Sequence, residues 1–202
     1  MTIFGKVNHT TQIPPRKLKN KERRTREHLT EAEVDKIIVA ARQVGRYGHR
    51  DATLVLLAYR HGLRVSELLS LRWSQVDLAQ EILHVTRKKR GIDSTHPLYG
   101  VEIRALRKLR RDNPHTQFVF VSQRKGPLTE WTFRKILARA GERAKLEMPI
   151  HPHMLRHATG FKLANEGQNT RVIQHYLGHR NIQHTVRYTQ LSRRCFQGFW
   201  KD

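Results

Sequence analysis

The chain has 202 residues, of which 38% are hydrophobic, so it is long enough to bury the core of one domain. Its formal net charge of +22 at pH 7 calls for a polyanionic partner. The longest apolar run, Leu54 to Tyr59, is too short to cross a bilayer and no signal peptide opens the chain, so we expect a cytoplasmic protein.

Residues 1–28 differ in composition from the rest of the chain. Pro14 and Pro15 interrupt any helix, and seven Lys or Arg residues lie between Arg16 and His28 with little apolar content. We expect a mobile basic arm that a polyanion such as DNA would order. A solvated tail without a partner is an equally weighted alternative.

Three helices are predicted next. Thr30 and Glu33 form a capping box, and the apolar residues after it recur at i, i+3, i+4 and i+7. The second predicted helix is apolar on nearly every face, so we expect it to be central and buried. The three helices are predicted at residues 31–44, 50–61 and 64–71, followed by a polar turn at 73–77.

The hydrophobic period then changes to two. Apolar and polar residues alternate over 82–86, a turn rich in Lys and Arg follows, and residues 95–98 complete a predicted β-hairpin with a basic tip. A helix around 103–109 and a short strand at 118–121 are expected after it. The remaining helices are predicted at 129–143, 153–166, 170–177 and 181–189. This pattern predicts a mainly helical α+β domain with one small antiparallel sheet.

The C-terminal part of the chain is rich in cations and poor in carboxylates. Between residues 148 and 201 the one acidic residue is Glu166, whereas the cationic side chains include His151, His153, His157, His175, His179, His184, Arg156, Arg171, Arg180 and Arg187. Histidines four residues apart could ligate zinc, but a two-metal phosphodiesterase needs bridging carboxylates. Cys195, the single cysteine, also excludes a zinc site that needs two thiolates of this chain. We therefore expect no metal and no cofactor.

Cleavage of a phosphodiester without metal needs three kinds of side chain. A hydroxyl attacks phosphorus, cationic donors neutralise the charge on the non-bridging oxygens, and an acid protonates the leaving group. Arg suits this work because its planar guanidinium donates two hydrogen bonds to a phosphate, whereas Lys acts as a movable point charge and proton donor. This chain contains all of them in an ordered series.

The series consists of Gly62-Leu63-Arg64-Val65-Ser66-Glu67, Lys88 in the hairpin turn, His153-Met154-Leu155-Arg156-His157, Leu177-Gly178-His179, and Tyr188. Over residues 28–190 it resembles the tyrosine recombinase (phage integrase) family, and the segments 94–98 and 151–157 are similar to the small fimbrial phase-variation recombinases. The resemblance implies the DNA breaking-rejoining fold and a site-specific DNA recombinase that needs neither metal nor ATP. Such an enzyme would act in the bacterial nucleoid.

The resemblance assigns roles to the first half of the series. Arg64 and Arg156 match the two arginines that clamp the scissile phosphate, and Glu67 lies one turn after Arg64, where it could orient the guanidinium. Lys88 matches the hairpin lysine that protonates the departing 5′ oxygen. The adjacent Lys89 is the alternative for that role.

The remaining roles fall near the C-terminus. By resemblance, His153 assists proton transfer from the nucleophile, His179 is an additional phosphate ligand, and Tyr188 attacks to form a 3′-phosphotyrosyl link. His151 and His157 match no catalytic position, so we interpret them as structural or DNA-facing.

The expected domain organisation is a basic arm at 1–28, a catalytic domain at 29–190 and a C-terminal tail at 191–202. In the family such a tail commonly docks on a neighbouring protomer, and packing on its own domain is equally plausible. The resemblance implies four protomers on two double-stranded DNA sites. Most relatives carry a separate N-terminal domain, whereas fewer than 30 residues precede the expected catalytic domain in this sequence. We therefore expect the basic arm to substitute for it in part and accessory DNA-bending proteins to be more important.

The residues leave the reaction outcome open. Inversion of a DNA segment between inverted repeats, integration and excision all use this chemistry. Two other functional classes fit less well: a catalytically inactive DNA-binding regulator, and a type IB topoisomerase that nicks and reseals one strand. The presence of every expected catalytic residue type argues against the regulator.

Overall fold

The structure, a computed structural model, describes residues 26–88 and 91–190. Its helices are α1 (Glu31–Gln43), α2 (Gly48–Arg60), α3 (Val65–Leu69), α4 (Gly100–Asp112), α5 (Glu130–Arg143), α6 (Pro152–Asn165), α7 (Thr170–Leu177) and α8 (Gln183–Thr189). The strands are β1 (Val76–Asp77), β2 (Ile82–Val85) and β3 (Ser94–Pro97). Most of the basic arm predicted at 1–28 and all of the tail predicted at 191–202 lie outside the described residues.

The first two helices show why the sequence folds as it does locally. The Thr30 hydroxyl accepts a hydrogen bond from the Glu33 amide, and the Glu33 carboxylate accepts one from the Thr30 amide at 2.7 Å, which confirms the capping box. The central helix α2 is buried along nearly its whole length, as predicted. It begins at Gly48 rather than Arg50, because a residue without a side chain fits there against the Arg42 carbonyl.

The sheet has three antiparallel strands in the order β1-β2-β3. The predicted hairpin is confirmed, with Leu83 paired to His96 and Val85 to Ser94. The prediction was wrong at two places: β1 forms where we expected a polar turn, and residues 118–121 form isolated bridges instead of a strand. Phe118 forms a bridge with Arg72, but a 3-10 helix begins at Trp73. That helix turns the segment after Arg72 away, so the pairing does not continue.

Two apolar clusters hold the elements together. The larger one is built on α2 and receives side chains from α1, α4, α5, α6 and the sheet. A smaller one joins α6, α7 and α8 through Ala164, Ile173, Leu177 and Tyr188. The mainly helical α+β architecture with one small antiparallel sheet is therefore confirmed. None of the helices within residues 26–88 and 91–190 is long and apolar enough to cross a membrane.

Candidate active site

Arg64 lies at the junction between α2 and α3, where its carboxylate partner is already in place. Its guanidinium donates to Glu67 Oε1 at 2.7 Å and its backbone amide donates to Glu67 Oε2 at 2.9 Å. Burial raises the pKa of Glu67, but hydrogen bonds from Arg64 and the charge of Arg87 bring the pKa below its usual value. The buried Glu67 is therefore an anion that orients Arg64, as its spacing predicted.

Arg87 is a second arginine on the same carboxylate, and our sequence analysis missed it. Its fully buried side chain donates to Glu67 Oε2 at 2.9 Å and to the Tyr176 carbonyl at 2.5 Å. A signal was present, because Arg87 continues the alternation of the buried residues Leu83 and Val85. This arginine therefore connects the hairpin, α3 and the end of α7.

Lys88 follows Arg87 directly and is exposed at the start of the hairpin turn. Its backbone amide donates to Glu67 Oε1 at 3.3 Å, so the lysine backbone is attached to the carboxylate that holds Arg64. The alternative lysine, Lys89, lies outside the described residues.

Helix α6 contributes Arg156, which is buried although the chain around it is polar. Its guanidinium donates to the carbonyls of Gly62 at 2.5 Å and Leu177 at 2.7 Å, which joins α6 to the ends of α2 and α7. Burial, followed by the charges of Arg64 and Arg87, lowers the pKa of Arg156 to about 9. Its positive charge therefore faces other cations, and an anion at this point would relieve the repulsion.

Two histidines, His153 and His157, occupy successive turns of α6. His153 is exposed, and partial burial together with the charge of Arg156 lowers its pKa. The rings of His153 and His157 are 6.5 Å apart between centroids. His157 has a pKa lowered to about 4, chiefly by burial and then by the charge of Arg187, so its ring is neutral at pH 7.

The turn between α7 and α8 positions His179. Gly178 ends α7 in the left-handed conformation at a φ of 66°, and the next residue turns back into the domain. His179 Nδ1 lies 2.8 Å from the Thr185 hydroxyl, and its carbonyl accepts from the Gln174 amide at 3.0 Å. Burial and the charge of Arg156 lower its pKa to about 3.

Tyr188 on α8 is 1% exposed, which the polar sequence around it does not indicate. Its hydroxyl lies 2.8 Å from His157 Nδ1, its ring packs edge-on against Phe161, and it lies parallel to the His179 ring at 6.4 Å. Burial raises the pKa of the phenol, and the charge of Arg156 opposes that rise. The phenol is therefore neutral in the protein alone.

The residues of the predicted series share one electrostatic environment. Arg64 and Arg156 both act on the pKa values of His153 and His179, and Arg156 also acts on that of Tyr188. A cavity of about 680 Å³ opens beside the α7–α8 turn, and the arginines in its lining are Arg64, Arg171 and Arg180. In residues 26–88 and 91–190, no three His, Cys, Asp or Glu side chains group as metal ligands. The arrangement suits the binding of a phosphate next to a phenol.

Comparison with known proteins places this arrangement in a family. Residues 27–194 match the family model described as the phage integrase family. The chain is 42% identical over 189 residues to the type 1 fimbriae regulatory protein FimB of Escherichia coli K12, covering 91% of this chain and 94% of FimB.

Solved structures agree with that match. The XerA recombinase superposes with a TM-score of 0.73 at 27% identity, covering 84% of this chain and 62% of XerA. The Tn1549 transposon integrase, solved in complex with circular intermediate DNA, gives a TM-score of 0.66 at 20% identity over 80% of this chain and 61% of that one, which shows the shared fold. The chain thus spans about six tenths of these solved chains. Because the family model matches most of the chain and FimB aligns almost end to end, this chain belongs to the phage integrase family, the tyrosine recombinases.

Proposed function

We propose that this chain is a site-specific DNA recombinase that cuts and rejoins DNA through a covalent phosphotyrosyl intermediate. The observation that carries the proposal is the position of Tyr188, whose phenol is near enough to the buried cation Arg156 for that charge to oppose the rise of its pKa, within a chain that matches the phage integrase family. The charge of +22 and the likeness to integrases solved on DNA support double-stranded DNA as the partner.

In the proposed reaction, Tyr188 Oη attacks the scissile phosphorus and the bond from phosphorus to the 5′ oxygen breaks. Arg64 and Arg156 neutralise the charge on the non-bridging oxygens, and His179 is an additional ligand that donates a hydrogen bond to the phosphate. His153 assists removal of the phenolic proton, and Lys88 protonates the departing 5′ oxygen. The phosphotyrosyl bond conserves the energy of the broken link, so attack by a 5′ hydroxyl on it reseals DNA without ATP.

The proposal extends to the outcome of recombination and to the assembly on DNA. The 42% identity to a fimbriae regulatory protein supports membership of the small fimbrial recombinases and favours inversion, with integration or excision as the alternatives. We propose that four protomers assemble on two inverted-repeat sites in the nucleoid with the help of DNA-bending proteins. The basic arm at 1–28 would contact DNA, and the tail at 191–202 would dock on a neighbouring protomer.

A nicked suicide substrate tests the nucleophile. Inverted repeats found by sequencing the DNA around the gene supply the site, and a nick near the scissile phosphate prevents resealing. We expect a covalent adduct that maps to Tyr188, that Tyr188→Phe abolishes without loss of DNA binding, and that excess EDTA leaves unchanged. Tyr176→Phe is the matched control, because Tyr176 is a half-buried tyrosine on α7 whose hydroxyl donates to the Arg60 carbonyl.

Three results would contradict the proposal. An adduct that persists in Tyr188→Phe, or that maps to Tyr176, would show that the nucleophile is misassigned. DNA binding without any adduct in the wild-type protein would favour a regulator, and relaxation of plasmids that lack the site would favour a topoisomerase.

A further inference from the structure

The proposed nucleophile is withdrawn from the surface in the DNA-free protein. Tyr188 is 1% exposed, and its hydroxyl lies 2.8 Å from His157 Nδ1. A scissile phosphate lies on the surface of a duplex, so it must contact the hydroxyl directly for attack. The phenol therefore has to leave this position before it can react.

The position of the Tyr188 ring depends on a glycine in α6. A Cβ at Gly160 would lie 2.7 to 2.8 Å from three atoms of the Tyr188 ring, closer than any side chain tolerates. Phe161 adds an edge-to-face contact with ring centroids 5.1 Å apart. The ring can occupy this place because residue 160 has no side chain, and the hydroxyl then meets His157 one turn earlier on the same helix.

The contact between His157 and Tyr188 is suited to holding the phenol and poorly suited to ionising it. Burial and the charge of Arg187 lower the pKa of His157 to about 4, whereas burial raises the pKa of Tyr188 above its usual value. Proton transfer from the phenol to the imidazole is therefore strongly unfavourable in this arrangement. A hydrogen bond between two neutral groups, by contrast, stabilises the withdrawn position without any change of charge.

We propose that His157 is a positioning residue that holds the Tyr188 hydroxyl withdrawn in the DNA-free protein, and that this hydrogen bond breaks before strand cleavage. The inference rests on Tyr188 as the proposed nucleophile. It gives a role to a histidine that matches no catalytic position of the family. The released hydroxyl would move from the imidazole toward the phosphate held by Arg64 and Arg156.

Three variants test whether His157 keeps the Tyr188 hydroxyl in its withdrawn position. His157→Leu removes the polar atom and keeps the bulk, whereas His157→Asn keeps a polar atom close to the position of Nδ1. Gly160→Ala displaces the Tyr188 ring and leaves the His157 side chain unchanged, so it tests the withdrawn position independently if His157→Leu is poorly folded. Circular dichroism melting confirms that each variant is folded.

The first measurement is nitration of tyrosines by tetranitromethane in the protein without DNA, followed by mass spectrometry of peptides. Tyr99, which is 62% exposed, serves as the internal standard in every sample. We expect protection of Tyr188 in the wild type and in His157→Asn. In His157→Leu its nitration should rise about tenfold, which corresponds to the loss of one net hydrogen bond. In Gly160→Ala its nitration should also rise, because the added methyl group displaces the ring. Equal protection of Tyr188 in wild type, His157→Leu and Gly160→Ala would overturn the proposal.

The second measurement is the rate of adduct formation on the suicide substrate. If His157 holds the phenol, His157→Leu forms the adduct at least as fast as the wild type. If His157 instead accepted the phenolic proton, both His157→Leu and His157→Asn would lose the adduct while Tyr188 stayed protected, and that result would overturn the proposal. Mapping of the wild-type adduct separates the two hypotheses, because an adduct on another residue refutes the nucleophile whatever the nitration pattern.

Discussion

The candidate site depends on the buried Arg87 and Arg156 and on the partly exposed Arg64. Glu67 is the carboxylate that Arg64 and Arg87 share, and it forms salt bridges with both. Arg156 donates instead to two backbone carbonyls. A buried guanidinium retains its place through these hydrogen bonds, but most of its charge is left for a ligand. The cluster is thus built for an anion at the cost of repulsion in the free protein.

Arg156→Lys should separate charge from geometry. Lysine keeps the positive charge but cannot donate to the Gly62 and Leu177 carbonyls and to a phosphate at the same time. By analogy with the loss of one oxyanion donor, single-turnover cleavage of the suicide substrate should slow about 10² to 10³-fold. Arg143→Lys is the control and should cleave at the wild-type rate, because Arg143 is exposed at the end of α5 and donates to Gln43. Wild-type cleavage by Arg156→Lys would argue against a bidentate contact.

The turn between α7 and α8 shows how one element boundary serves the site. Gly178 has a φ of 66°, and a Cβ there would lie 2.6 Å from the buried Arg87 Nε. The same residue therefore provides the backbone conformation for the turn before His179 and the space for the side chain that connects the hairpin to α3.

Gly178→Ala should destabilise the protein more than an equivalent change in open space. Gly167 is the matched control, because its φ is 85° and no atom lies within 4 Å of the added Cβ. We expect Gly167→Ala to lower the free energy of unfolding in urea by about 1–2 kcal/mol through backbone strain alone. Gly178→Ala should lower it by about 1–3 kcal/mol more, because overpacking displaces Arg87. Equal effects in the two variants would show that Arg87 moves aside freely.

Helix positions were predicted well and short extended segments were not. The periodic apolar residues of α1, α5, α6 and α7 indicate helices whose observed ends lie within about two residues of the prediction. By contrast, β1 has two residues, and its formation depends on β2 lying beside it. A segment that short contains no period, so its pairing is decided by tertiary contacts.

At the scale of the whole molecule, three neutral histidines couple stability to pH. Burial is the main cause that lowers the pKa of His96 to about 3, of His157 to about 4 and of His179 to about 3. Their unfolded value is 6.5, so the unfolded chain binds more protons than the folded one between these limits. The contribution of these three histidines to the free energy of unfolding is therefore complete above pH 6.5, and it is lost as the pH falls toward 3–4.

Each of these histidines should lower the free energy of unfolding by up to about 2 kcal/mol as the pH falls from 7 to 5. Urea unfolding at pH 7, 6 and 5 measures the loss, and His96→Gln should reduce its pH dependence by about a third. A free energy of unfolding that is independent of pH over this range would show that the imidazoles become protonated inside the folded protein.

The excess of positive charge predicts how DNA binding responds to salt. If each protomer neutralises about eight phosphates, log K should fall with log salt at a slope of about −7. Fluorescence anisotropy with a labelled duplex measures the slope. Salt concentrations from about 50 to about 200 mM cover the range in which such phosphate contacts change the affinity strongly. A nearly flat dependence would argue against DNA as the main partner of this chain, whose formal net charge is +22.

The sequence by itself determined the family and the mainly helical fold, because these follow from motif order and apolar periodicity along the chain. The candidate catalytic residues stay a prediction, which the resemblance to the family implies. Only the tertiary structure showed that Arg87 lies under the site and that Tyr188 is buried against His157. Arg87 and the Tyr176 carbonyl are 89 positions apart, and His157 and Tyr188 are 31 apart. Periodicity indicates which face of an element is buried, but the packing of separate elements decides which atoms meet there.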